Sequence, residues 1–218
     1  MIIGLVGYAG AGKDTAYALM KPQLQNYKNF KFAGKLKEFC SNMYDMPPQT
    51  FEVYEEKMKD FSFIISVEEY HKRFKELCCE VLNICDMPHL SSISLMELCS
   101  KIENGMVSIE TTPRKILQII GTNVFRDYYS ETVWIDFLEE GDYVVTDVRF
   151  LNEAEKIKEL GGVLVRVQNK NQPHSSFLHE SEKYIEEIKC DSVIYNDGES
   201  LESFDLALKN SLRDLNIL

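Results

Sequence analysis

The sequence predicts an α/β fold, a five-stranded parallel sheet flanked by helices with one long insertion, and three observations predict it. The first is a short, wholly apolar run at residues 2 to 6 that stops at a glycine-rich stretch and is followed by a helix-like segment. Continuous apolar strands are those buried on both faces, as in parallel sheets. The second is the regular alternation of short apolar runs with amphipathic segments after residue 140, the pattern of strand and crossover helix. The third is a stretch near residues 35 to 110 that carries Phe, Leu, Met and charged residues at helical spacing and no convincing strand.

Taken in order, Ile2 to Val6 reads as the first strand, Gly7 to Gly12 as a turn, and Lys13 to about Asn26 as a helix. Asn29 to Phe32 reads as a second strand, and the segment from Ala33 to about Leu98 as several helices. Thr112-Pro113 has the form of a helix start, with threonine as N-cap and proline at the first helical position, where its missing N–H costs nothing. That helix is expected to run to about Arg126. Tyr143 to Thr146, Gly162 to Val167 and Ser192 to Tyr195 complete the set of buried strands. The 218 residues fit one domain, 1–218, with a helical insertion at about 35–110.

Composition narrows the function classes. The net charge of -11 works against binding to a nucleic-acid backbone, though a small anion needs only a local basic pocket. Six cysteines without C-x-x-C spacing read as free, buried thiols in a reducing, cytoplasmic compartment, and a zinc site from Cys85 and His89 lacks a second ligand pair. Met1 opens into the first strand without a basic leader, and no apolar run approaches the ~18 residues of a membrane span. Neither export, membrane nor nucleic-acid binding is expected.

The chemistry is expected at Gly7-x-x-x-x-Gly12-Lys13-Asp14-Thr15, between strand and helix. Such a turn points successive backbone N–H groups inward at the positive end of a helix, which suits a polyphosphate. Gly10, Ala11, Gly12, Lys13, Asp14 and Thr15 are the expected nucleotide-binding residues, with Lys13 reaching the β- and γ-phosphates. The motif departs from its usual form, because Asp14 stands where serine or threonine follows the lysine. Asp14 is either a favourable acid in the first helical turn or a carboxylate near magnesium or an acceptor phosphate.

Beside this loop stand Phe32-Ala33-Gly34-Lys35-Leu36-Lys37, Arg114-Lys115-Ile116-Leu117-Gln118-Ile119-Ile120-Gly121-Thr122, Thr146-Asp147-Val148-Arg149 with Asn152-Glu153, His179-Glu180-Ser181-Glu182 and Asn196-Asp197-Gly198. In order and rough spacing these stretches resemble the deoxynucleoside monophosphate kinases of bacteriophages, over most of the chain and least in the insertion. The resemblance implies a P-loop kinase three-layer fold with a five-stranded parallel sheet and an inserted helical lobe that binds the monophosphate. It implies phosphoryl transfer from ATP with Mg2+ onto a deoxynucleoside monophosphate, and a homodimer.

Residue by residue, it implies catalytic roles for Lys13, Asp14, Arg114 and Arg149, and substrate contacts from Lys37, Arg114, Gln118, Gly121, Thr122, Arg126 and Asp147. Asp14, Thr15 and Asp147 would serve the metal, and Asn196, Asp197 and Gly198 the adenine. On an ideal helix Arg114, Gln118 and Gly121 share a polar, uncrowded face opposite Ile116, Ile120 and Val124, while Arg126 lies about 120° from Arg114. An arginine in a first helical turn opposes the helix dipole, which binding of a phosphate would justify. Asp147 either orients magnesium or caps the helix near Leu151; Arg149 either pairs with that carboxylate or reaches the phosphates. Asn169 and Lys170 stand where related enzymes carry a lid arginine, and lysine lacks the planar fork of arginine, so no lid role is assigned to Lys170. His179 is read as structural. The rival functions are a P-loop kinase of another small acceptor, such as a coenzyme precursor or a sugar, and a non-catalytic ATP-sensing module.

Overall fold

The computed structural model describes residues 1–85, 87, 89–169, 184–198 and 200–218, and of Tyr54 the backbone alone. The chain divides into two compact units, Met1–Phe32 with Ile135–Leu218, and Ala33–Trp134.

The first unit holds the parallel sheet. β1 (Ile2–Val6) lies at its centre, flanked by β6 (Tyr143–Val148) and β7 (Val163–Asn169), with β2 (Lys28–Phe30) and β8 (Ser192–Asn196) at the edges. All four pairings are parallel, so the sheet order is β2-β6-β1-β7-β8. Every residue of β1 is buried, which accounts for its unbroken apolar run. On one face Ile3, Leu5, Val144 and Val165 pack with Ala16 and Met20 of α1 (Lys13–Met20) and with Phe204, Leu208 and Leu212 of α8 (Leu201–Asp214). On the other face Ile2, Val6, Val145 and Leu164 pack with Ala154 and Ile157 of α7 (Leu151–Glu159) and with Ile135, Leu138, Ile185 and Ile188. The result is three layers whose strands all end on one side, where α/β folds place their ligands.

The second unit contains α2 (Gly34–Met43), α3 (Tyr54–Lys57), α4 (Val67–Leu82), α5 (His89–Leu98) and α6 (Pro113–Gln118), but it is not purely helical. β3 (Phe61–Ser66), β5 (Met106–Thr111) and β4 (Lys101–Glu103) form an antiparallel sheet of order β3-β5-β4. The expectation of an insertion without strands is corrected here. β4 and β5 are joined by Asn104-Gly105, both at positive φ (49° and 74°), the dipeptide that favours a two-residue hairpin turn. β3 sets Phe61, Phe63 and Ile65 on one face of the pleat and Ser62, Ile64 and Ser66 on the other, so exposed Ile64 alone interrupts its alternation.

The core of this unit is aromatic. The Phe39, Phe74 and Phe125 rings lie with centroids 5.0 to 5.9 Å apart, and Trp134 meets Phe125 edge-on at 5.3 Å. Phe39, Tyr44, Phe51 and Tyr70 are fully buried, while Phe61 and Phe63 are half-buried. The Tyr70 hydroxyl bridges Tyr44 and Ser94, and burial pushes its pKa up to about 12.

The cysteines depart from the expectation of free, buried thiols. Cys79 and Cys85 are exposed and joined by a disulfide, with Cα atoms 4.6 Å apart across the C-terminal end of α4; Cys40, Cys78, Cys99 and Cys190 remain free. Asn83 in the left-handed conformation (φ 59°) turns the chain back so that the two sulfurs meet, a local geometry that spacing rules for metal or redox motifs do not capture.

Candidate active site

In the first unit the site is built on the carboxyl edge of β1. Gly7 abuts β7 so closely that a Cβ there would lie 2.4 Å from the Val167 carbonyl oxygen. Gly12, the N-cap of α1, has φ 102°, a conformation that costs a residue with a Cβ and costs glycine nothing. No side chain caps α1, so the amide donors of its first turn are left for a bound anion. Lys13 is 8% exposed, and its Nζ donates to the carbonyls of Gly7 at 2.6 Å and Tyr8 at 2.8 Å. The ammonium is thus folded over the turn, where entering phosphates would exchange oxygen for oxygen around it.

Asp14 is exposed in the first turn of α1, and Thr15 is half-buried beside it. Lys31, just past the end of β2, places its Nζ 3.7 Å from Asp14 Oδ1. Lys31 belongs to no phosphate-binding motif in the sequence; its position directly outside the carboxyl end of a parallel strand is the signal that identifies it. Asp147 sits near the end of β6, and its Oδ1 accepts the backbone N–H of Phe32 at 2.9 Å. Asp147 therefore ties β6 to the chain leaving β2. The start of α7 is served instead by buried Glu153, whose Oε2 accepts the N–H groups of Arg149 (2.8 Å) and Phe150 (3.1 Å) and fixes the backbone that carries Arg149.

Asn196, Asp197 and Gly198 leave β8 beside the phosphate loop. Asn196 Nδ2 donates to the Ala11 carbonyl at 3.2 Å, and Ser203 Oγ donates to Asp197 Oδ1 at 3.4 Å. Lys170 and the stretch His179 to Glu182 lie outside the described residues.

The second unit carries the remaining candidates. Thr112 Oγ1 accepts the Lys115 N–H at 3.3 Å and Pro113 takes the first helical position, so α6 begins where its sequence predicts. From Ile119 to Arg126 the helix continues with π hydrogen bonding. A π-helix takes about 4.4 residues per turn, so each residue advances less around the axis than in an α-helix. Over these eight residues the shortfall adds up, moving Gly121 off the face of Arg114 and Gln118.

The contacts agree with this rotation and correct the ideal-helix placement of Gly121. Gly121 is buried, a Cβ on it would lie 2.6 Å from Leu36 Cδ2, and its carbonyl accepts the indole N–H of Trp134. Ile116, Ile120 and Val124 are buried as expected. Arg114, Gln118, Thr122 and Arg126 are half-buried. Among the described residues no hydrogen bond or ion pair engages the Arg114 guanidinium, whereas Arg126 donates to the Glu131 carbonyl at 3.3 Å. Lys37 pairs with Glu52 at 2.8 Å.

Comparison with known proteins decides the family. The family model for deoxynucleotide monophosphate kinase matches residues 1–207. The chain belongs to the deoxynucleotide monophosphate kinase family. Among the relatives of this kinase, the deoxynucleoside-5'-monophosphate kinase of Escherichia phage T5 is 26% identical over 183 residues, 73% of this chain and 72% of the phage protein. A protein of Acanthamoeba polyphaga mimivirus, provisionally named as a deoxynucleotide monophosphate kinase, is 32% identical over 111 residues, 43% of this chain and 57% of the viral one.

Metal ligation is tested by the donor set. Among the described residues no group of three or more His, Cys, Asp or Glu side chains could by itself hold a metal. The side chains of Asp14, Thr15 and Asp147 carry hard oxygen donors, the kind that suits magnesium held mainly by phosphates and water. Among the described residues no helix is long and apolar enough to cross a membrane.

Proposed function

We propose that this kinase transfers the γ-phosphoryl group of ATP to the phosphate of a deoxynucleoside 5'-monophosphate, giving the diphosphate and ADP. The observation that carries the reading is the Lys13 ammonium folded over the Gly7 and Tyr8 carbonyls at the uncapped start of α1. A buried lysine with two carbonyl partners in a glycine-rich turn is suited to exchange them for phosphate oxygens. Membership of the family supports the acceptor class.

The acceptor oxygen is anionic at neutral pH and attacks the γ-phosphorus in line; the new P–O bond forms as the bond to the β-phosphate oxygen breaks, and that oxygen leaves with the electron pair on ADP. No nucleophilic side chain is needed, so the residues act by position and charge. Lys13 stays with the β- and γ-oxygens as charge moves onto the leaving group. Arg114 holds the acceptor phosphate through its planar fork, with Arg126, Gln118 and Thr122 along the same helix and Lys37 on α2 as further donors. Bound through Asp14, Thr15 and Asp147, magnesium would neutralise the phosphate oxygens. Lys31 and Arg149 add positive charge at the carboxyl edge of the sheet.

The test is a panel of four deoxy- and four ribonucleoside monophosphates with ATP and magnesium, resolved by product chromatography. Diphosphate from at least one deoxynucleotide is expected. No diphosphate from any of the eight, with ATP consumed only on a sugar or coenzyme precursor or not at all, would reject the assignment.

A further inference from the structure

Asn196 is expected beside the adenine from the family resemblance, but both ends of its side-chain amide are engaged elsewhere. Nδ2 donates to the Ala11 carbonyl at 3.2 Å, and Oδ1 accepts the Gly198 N–H at 3.2 Å. The orientation of the amide follows from its partners, since a carbonyl only accepts and a backbone N–H only donates. Gly12 is packed against the same group: a Cβ there would lie 2.6 Å from Asn196 Nδ2. Asn196 is itself held by the parallel pairing of β8 with β7, where it lies opposite Asn169.

The Ala11 carbonyl and the Gly12 N–H belong to one planar trans peptide unit, so they point in opposite directions. Drawing the carbonyl toward Asn196 turns the Gly12 N–H away from β8. We propose that Asn196 is a positioning residue that fixes this peptide plane and so keeps the Gly12 N–H available as a phosphate donor, while its other end sets the turn at Gly198. A peptide with positive φ on the glycine side can flip at modest cost once the clamp is removed. The flipped form presents a carbonyl to the phosphates where an N–H stood, which loses a donor and adds repulsion. The inference rests on the reading of this loop as the triphosphate site and adds to it the group that holds the loop in its binding form.

The test is calorimetric titration of the wild type, Asn196→Ala and Asn196→Asp with Mg-ATP, with magnesium and inorganic tripolyphosphate, and with the preferred deoxynucleoside monophosphate. Tripolyphosphate has no base, so it separates loop positioning from adenine contact. Asn196→Asp keeps the shape and the acceptor for Gly198 but loses the donor to Ala11, and it carries the comparison if the alanine variant fails to fold. Loss of roughly ten-fold in affinity for both ATP and tripolyphosphate in the variants, the worth of one hydrogen bond, with monophosphate affinity kept within about two-fold, is the expected result. A loss confined to ATP would make Asn196 a base contact and overturn the proposal, as would unchanged affinity for both phosphate ligands. A wild type that binds neither ligand would sink the phosphate-loop reading itself, a distinct failure from either.

Discussion

The indole N–H of Trp134 donates to the carbonyl of Gly121 across 3.0 Å, inside the π segment that follows the Arg114 helix. The bond is buried, and the indole also rests edge-on against Phe125. Trp134→Phe keeps most of the ring packing and leaves the Gly121 carbonyl without this donor. The expected cost is about 0.5–1.5 kcal/mol, the net worth of one buried hydrogen bond, because the carbonyl keeps its place in the π ladder. Denaturant titration followed by circular dichroism measures it, and no measurable loss would show that the indole N–H adds nothing to stability beyond the ring packing.

Arg114 separates function from stability. Among the described residues its guanidinium has no hydrogen-bond or ion-pair partner, so Arg114→Ala is expected to change stability by no more than about 0.5 kcal/mol. If it holds the acceptor phosphate, the same change lowers kcat/KM by about a hundred-fold or more. Lys13→Ala is expected to lower turnover by a comparable or larger factor, through the phosphates of ATP. Steady-state kinetics on folded protein, with the melting transition as control, check both, and wild-type kinetics for Arg114→Ala would remove Arg114 from the site.

Much of this was legible because burial leaves a mark in the sequence. β1 reads as a strand since all five of its residues are inside, and the loop after it is marked by Gly10 and Gly12, which adopt φ values that residues with a Cβ rarely take. Thr112-Pro113 marks a helix start through two local effects that survive in any context. Of what escaped, the β4–β5 hairpin had a local mark in Asn104-Gly105, and the rest depended on tertiary packing. The π turn after Gln118 has no sequence signature at a 3.6-residue period, so an ideal helix puts Gly121 on the face of Arg114 while the fold packs it against Leu36 and Trp134. Asn196 carries a turn signature, and only the fold brings it to Ala11, 185 residues away.

The disulfide gives a chemical prediction. Of the six cysteines, Cys79 and Cys85 are bonded and four are free. Purified without reductant and unfolded in guanidinium, the protein is expected to titrate four thiols, and six after reduction. Burial raises the pKa of the Cys40 thiol well above its usual value and that of Cys78 to about 12, so these two should react far more slowly than Cys99 in the folded state. Mass spectrometry after alkylation assigns the positions; six reactive thiols without reductant would contradict the bond.

Asp191 supplies a pH dependence whose sign can be worked out. Burial alone would raise its pKa, but the Lys158 ammonium at 2.6 Å and the Leu164 N–H at 2.7 Å outweigh that and hold it below the usual carboxylate value. A carboxylate with a depressed folded-state pKa contributes stability that is fully present above its unfolded pKa, about 3.9, and is lost as pH falls through the folded value. Asp191→Asn keeps an oxygen for Leu164 and removes the charge facing Lys158. The variant is therefore expected to melt below the wild type at pH 6 to 7, with the gap shrinking as pH falls below about 4. The carboxylate is about one-third exposed (32%), so solvent screening limits the ion-pair part to about 1 kcal/mol or less. Melting curves of both proteins across this range, at low and high salt, measure it. A gap that stays constant from neutral to acid pH would mean that the aspartate acts by shape and hydrogen bonding alone, and a gap that widens on acidification would reverse the sign derived from its surroundings.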